Sequence, residues 1–229
     1  GACSFPPMLV LAFATHGTLR DVLNKKQLTP IKKWQVVAGV CDGMAWLHSE
    51  NILHLDLKPT NILISEDATP WIADFGLAIA MAGSSLSSSS STTGGRGTMQ
   101  YKAPELFKTK RMGGTTYAKP SDVYSFGFLM WEIFSGRIPF ATVPPHELTA
   151  MHLMVLLGQE NPERPPLDDI PAVVGTLITQ CWSQDPKQRS TFPDIQETLK
   201  QIPTPSSNAA HYALFLSHKK SDIDTNINY

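Results

Sequence analysis

The chain has 229 residues, 42% of them hydrophobic, and carries 19 basic against 20 acidic side chains for a formal net charge of −1. That length allows one good-sized domain, or a domain plus a piece of another, with enough apolar residues for a core. The near-neutral balance excludes the electrostatic footprint of a nucleic-acid or anionic-membrane binder, so binding is expected through shaped sites.

Met8-Leu9-Val10-Leu11-Ala12-Phe13-Ala14 reads as a buried strand too short to span a bilayer, and Thr15 to Leu19 as the turn that ends it. No signal-peptide pattern opens the sequence, so a cytoplasmic, soluble protein is expected. Thr29-Pro30 starts a helix, with Thr as cap and Pro where its missing N–H costs nothing. Ile31, Trp34, Ala38, Cys41 and Ala45 recur at helical spacing, so the segment to about Leu47 buries one face. Cys3, Cys41 and Cys181 are widely spaced without a CxxC pair; they read as small buried apolar residues in a reducing compartment.

The helix delivers the chain to His54-Leu55-Asp56-Leu57-Lys58-Pro59-Thr60-Asn61. Taken singly, Asp56 is a turn carboxylate and Asn61 a cap. Ile62-Leu63-Ile64 and Trp71-Ile72-Ala73 form short strands around the turn at Glu66-Asp67, with Trp71 in the core. Asp74-Phe75-Gly76 follows. Ser84 to Thr93 holds seven serines and two threonines with Leu86 as its one apolar residue, a composition too polar to offset ordering entropy and open to regulatory phosphorylation. Gly97-Thr98-Met99-Gln100-Tyr101-Lys102-Ala103-Pro104-Glu105 comes next. Lys119 to Phe134 is apolar around most of its circumference, the mark of a central buried helix. Cys181-Trp182-Ser183-Gln184-Asp185-Pro186-Lys187-Gln188-Arg189 is a late helix and turn, and residues 203–210 a linker.

Taken together, His54 to Asn61, Asp74-Phe75-Gly76 and Ala103-Pro104-Glu105 resemble the catalytic loop, metal-binding loop and activation-segment end of a protein kinase. The resemblance covers residues 1–202. It implies an α+β, mainly α fold: the large C-terminal lobe with one or two strands of the small lobe, a hinge at about 12–17, a catalytic loop at 54–61 and an activation segment at 74–105. The family's Gly-rich loop, strand Lys and helix Glu have no counterpart here, so the chain by itself is expected to transfer no phosphoryl group. Phosphoryl transfer needs positioning and charge neutralisation more than covalent chemistry. In that scheme Asp56 takes the acceptor hydroxyl proton, Lys58 contacts the moving phosphoryl group, and Asn61 and Asp74 give oxygen ligands to Mg²⁺. Leu11, Ala12, Ala14 and Leu63 would form the adenine site of ATP.

Lys58 two residues after Asp56 is similar to serine/threonine kinases, as is Thr98, which there bonds the catalytic Asp and Lys. Ser-Asp-Val-Tyr-Ser-Phe-Gly is flavoured like tyrosine kinases, so the whole resembles the tyrosine-kinase-like group. The resemblance implies a protein substrate with a Ser or Thr acceptor in signal transduction, with a catalytically inactive scaffold as the alternative. It also implies that Asp122 accepts backbone hydrogen bonds from the catalytic loop and that Arg189 pairs with Glu105. Leu55 replaces the Arg that relatives hold ready for a loop phosphate, so activation should depend less on such a phosphate. His211 to Asp222, within the tail 211–229, is similar to the first strand of Toll/interleukin-receptor-like domains, which would bring signalling partners.

Overall fold

In the computed structural model of the chain, residues 13–80, 99–107, 118–144, 147 and 164–202 are described. Among the described residues, five α-helices longer than one turn carry the structure. Helix α1, Leu19–Asn24, starts at a capping box in which Thr18 Oγ accepts from Asp21 N and the Asp21 carboxylate accepts from Thr18 N. The Thr18 hydroxyl, which donates to the carboxylate at 2.6 Å, and the Thr18 N–H hold the Asp21 carboxyl below its usual range. Sequence periodicity does not announce a helix this short. Helix α2, Pro30–Ser49, is capped by Thr29 with Pro at its first position, as its sequence predicts. Its buried face differs from the expected one. Trp34, Val37, Val40, Cys41, Met44, Leu47 and His48 are buried, whereas Ile31 is exposed and Ala38 and Ala45 are half-buried.

Strand β1, Ile52–Leu53, pairs antiparallel with β4, Ile79–Ala80; β2, Ile62–Ile64, pairs antiparallel with β3, Pro70–Ile72, in register Ile62↔Ile72. Trp71 is half-buried rather than in the core, as are Pro70 and Ile72 beside it, because β3 lies in a sheet of two strands and is covered by α2 on the Pro70 and Ile72 side. Of the expected strand Met8 to Ala14, the described residues Phe13 and Ala14 lie outside any strand. Leu11, Ala12, the Ser-rich segment, Thr98 and the tail lie outside the described residues.

Helix α3, Lys119–Ser135, is buried over nearly its whole length and ends at Gly136 with φ 67°. It packs against α4, Ala172–Cys181, and α2, while α2 packs against α5, Phe192–Gln201. The core lies among them, with Phe126 meeting Phe192 edge-on at 5.3 Å between ring centroids. Cys41 and Cys181 are buried, and burial pushes the Cys41 thiol up to about 12 and that of Cys181 further up, so both behave as apolar residues.

Helix α2 seats β3 at two glycines. A Cβ on Gly39 would lie 2.7 Å from Pro70 Cγ and 2.8 Å from Pro70 Cδ, and one on Gly43 would lie 2.7 Å from Ile72 Cδ1. Replacing a mid-helix Gly with Ala gains about 1 kcal/mol of helix propensity. At Gly43 the Ile72 methyl can rotate aside, so Gly43→Ala should be close to neutral in a thermal melt. The Pro70 ring has no such freedom, and Gly39→Ala should lose roughly 1–3 kcal/mol to overpacking. Equal melting temperatures for the two variants would show that β3 slides freely on α2.

Candidate active site

The segment between β1 and β2 is shaped by a buried carboxylate from α3. Asp122 Oδ2 accepts from His54 N at 2.9 Å and Oδ1 from Leu55 N at 2.7 Å. His48 Nε2 stands 2.9 Å from the same Oδ2. These contacts hold Leu55 at φ 63°, in the left-handed region that an L side chain adopts at a cost. The Asp122 contacts match the sequence expectation. His48 was not foreseen: it reads as one more buried helix residue, and nothing local links it to a carboxylate 74 positions on.

Three of the predicted residues converge beyond Leu55. Lys58 Nζ donates to Asp56 Oδ2 at 2.6 Å, and Asn61 Nδ2 donates to the same oxygen at 2.9 Å and to the Asp56 carbonyl at 2.8 Å. Asp56 Oδ1 is buried without a hydrogen-bond partner among the described residues. A buried carboxylate oxygen left in that state is costly unless a donor meets it, so it marks where one would sit.

The second loop is tied to this cluster on both sides of Ala73. Ala73 N donates to the Asn61 carbonyl at 2.8 Å, and His54 Nε2 meets the Ala73 carbonyl at 3.0 Å. Asp56 N donates to His54 Nδ1 at 3.3 Å, so the Nε2-protonated ring bridges the two loops. Asp74 follows at once, exposed, with φ 61° and its carboxylate capping Gly76 N at 3.3 Å. The Asn61 amide oxygen and the Asp74 carboxylate are hard donors of the kind Mg²⁺ takes, with room for further oxygens at the exposed position. The residues present fit that ion.

Leu63 lies on β2, and Thr18 bridges to it; His16 N donates to the Ile64 carbonyl at 3.1 Å and Ile64 N to that of Gly17 at 2.9 Å. The chain after Ala14 therefore runs along β2. Ala14 is buried, and its carbonyl accepts from Gly17 N at 3.2 Å. Lys102, half-buried, is a further cation on the Asp56 side: burial lowers its pKa, and the Asp56 charge acts against that fall. Its chemistry is invisible in sequence, where it is one more polar residue between Tyr101 and Ala103.

Glu105 and Arg189 form the expected pair. Arg189 Nη1 donates to Oε1 at 2.7 Å and Nη2 to Oε2 at 3.0 Å, and Ser121 Oγ donates to Oε1 at 2.8 Å. This ties the Pro104–Phe107 turn to the start of α3.

Residues 1–199 match the family described as protein tyrosine and serine/threonine kinase. The chain is similar to dual specificity protein kinase pyk3 of Dictyostelium discoideum, 34% identical over all of this chain and 16% of that protein. It is 31% identical to serine/threonine/tyrosine-protein kinase HT1 of Arabidopsis thaliana over 87% of this chain and 49% of that protein. With mitogen-activated protein kinase kinase kinase 7 of Homo sapiens it shares 32% over 88% of this chain and 32% of that protein. The chain thus spans less than half the length of these curated relatives. Among the described residues no helix is long and apolar enough to cross a membrane. With its mainly helical lobe and that family match, the chain belongs to the protein kinases, in their tyrosine-kinase-like group.

Proposed function

We propose that this lobe supplies the catalytic groups of a protein kinase that transfers the γ-phosphoryl group of ATP to Ser and Thr hydroxyls of a protein acceptor in cytoplasmic signalling, the chain by itself being inactive without the small-lobe elements that clamp the phosphates. The observation that carries the reading is the Asp56–Lys58–Asn61 cluster, with one buried carboxylate oxygen unmet and Asp74 tied to it through Ala73. Asp56 Oδ1 is free to take the hydroxyl proton as the acceptor oxygen bonds to the γ-phosphorus and the bond from that phosphorus to the ADP oxygen breaks. Lys58, held on the other carboxylate oxygen, faces the transferring group with a positive charge. Asn61 and Asp74 would hold Mg²⁺, which when bound neutralises phosphate charge. Thr98 is proposed to bond Asp56 and Lys58, and Leu11, Ala12, Ala14 and Leu63 to receive adenine.

Two of the relatives are named as dual-specificity or serine/threonine/tyrosine kinases, which favours a second reading in which Tyr is also accepted. Radiolabel transfer from ATP·Mg²⁺ by the full-length protein to matched Ser, Thr and Tyr peptides separates the two. Label on Ser and Thr peptides alone supports the first; comparable label on Tyr peptides supports the second; none on any supports the scaffold reading. In the same protein, Asp74→Asn should weaken Mg²⁺-dependent ATP binding by calorimetry as well as lower the rate. Unchanged titrations would remove Asp74 from the metal site.

A further inference from the structure

Glu132 lies deep on α3, its side chain 1% exposed, and both its oxygens are met from distant parts of the chain. Arg20 Nη1, from α1, donates to Oε1, and the Tyr101 hydroxyl donates to Oε2. Arg20 Nη2 donates to the Tyr101 oxygen at 2.9 Å, which closes a ring of three side chains separated by 31, 81 and 112 positions in sequence. Burial raises the carboxyl pKa of Glu132, the opposing pull of Arg20 and Tyr101 notwithstanding, and raises that of the Tyr101 hydroxyl too.

A buried charged ring of this kind is a poor way to gain stability, because apolar side chains of equal volume hold elements together as well or better. What hydrogen-bonded charges add is direction. The ring joins two surfaces of the candidate site. On one side, α1 packs against the Pro59–Asn61 turn and β2, next to Leu63. On the other, Tyr101 begins the run that places Lys102 within reach of the Asp56 charge and continues into the pinned Glu105. Ser125 Oγ donates to the Tyr101 carbonyl at 2.8 Å, so the residue is held by side chain and main chain alike.

We propose that Arg20 is a positioning residue which, through Glu132 and Tyr101, sets where the segment Met99–Phe107 stands relative to Asp56, and so how a protein acceptor is seated. The effect on the acceptor rests on the transfer reading above; the positioning does not.

Two measurements on the full-length protein keep these apart. In Arg20→Met, hydrogen–deuterium exchange should accelerate across residues 99–107 while residues 54–61 keep parent protection. With the best acceptor from a degenerate Ser/Thr peptide set, its KM should rise about tenfold while the KM for ATP stays within about twofold, the sign of lost acceptor seating alone. Arg20→Lys keeps the charge but cannot reach both Glu132 and Tyr101; it should fall between parent and Arg20→Met, and it carries the comparison if Arg20→Met does not fold. Parent-like exchange at 99–107 in either folded variant overturns the proposal, as does a rise of both KM values together. If the parent labels no acceptor, the transfer reading fails and the exchange result alone decides the role of Arg20.

Discussion

Asp56→Asn should lower phosphoryl transfer by about 10²–10⁴-fold while leaving ATP binding close to the parent value. The amide is nearly isosteric with the carboxylate, so its oxygen can still accept from Asn61 Nδ2 and the backbone contacts around it survive. Two things are lost. The ion pair to Lys58 at 2.6 Å becomes a hydrogen bond from a cation to a neutral amide, and the unmet buried oxygen is no longer a base. Neither loss touches the residues proposed for adenine. Steady-state kinetics with calorimetric ATP titration check this, and turnover near the parent rate would mean that the proton leaves by another route.

Arg189→Ala should destabilise the lobe by roughly 3–5 kcal/mol, because Glu105 would remain as a buried charge without its cation. Both residues are buried, at 6% and 8% exposure, so solvent screening gives little relief. Arg189 does more than pair. It donates to the carbonyls of Pro120 and Ser183 at 2.9 Å, and its guanidinium lies 4.8 Å from the centre of the Tyr124 ring. Truncation therefore takes a donor from two carbonyls as well as from a carboxylate. Glu105→Gln, which keeps an oxygen for Ser121, should cost less. A melting temperature for Arg189→Ala indistinguishable from the parent would show that the pair contributes nothing net.

How far the sequence reaches depends on the range of the interaction. The Asp56, Lys58 and Asn61 cluster closes within six residues, and short spacing carries its chemistry in plain view. Asp122 and the Glu105–Arg189 pair are long-range, and only the family resemblance announced them. The Arg20–Glu132–Tyr101 ring left no trace because each member is unremarkable locally: an Arg on a six-residue helix, a Glu in an apolar helix, a Tyr at the end of a 3₁₀ turn. Trp71 was misjudged for a related reason. Residue type argues for burial, but a strand in a two-stranded sheet leaves all three of its residues half-covered.

The left-handed backbone at Leu55 limits how this position can drift over generations. At φ 63° a β-branched side chain would be strained against its own backbone, so Val, Ile and Thr are poor heirs however well they suit the 9% exposed surroundings. Long unbranched side chains fare better, Arg among them. Leu55→Arg should therefore leave the loop's shape intact, since Asp122 bonds the main chain and is indifferent to the side chain attached. The loop's shape is thus written in the main chain and in Asp122, and the side chain at position 55 is left to serve other ends.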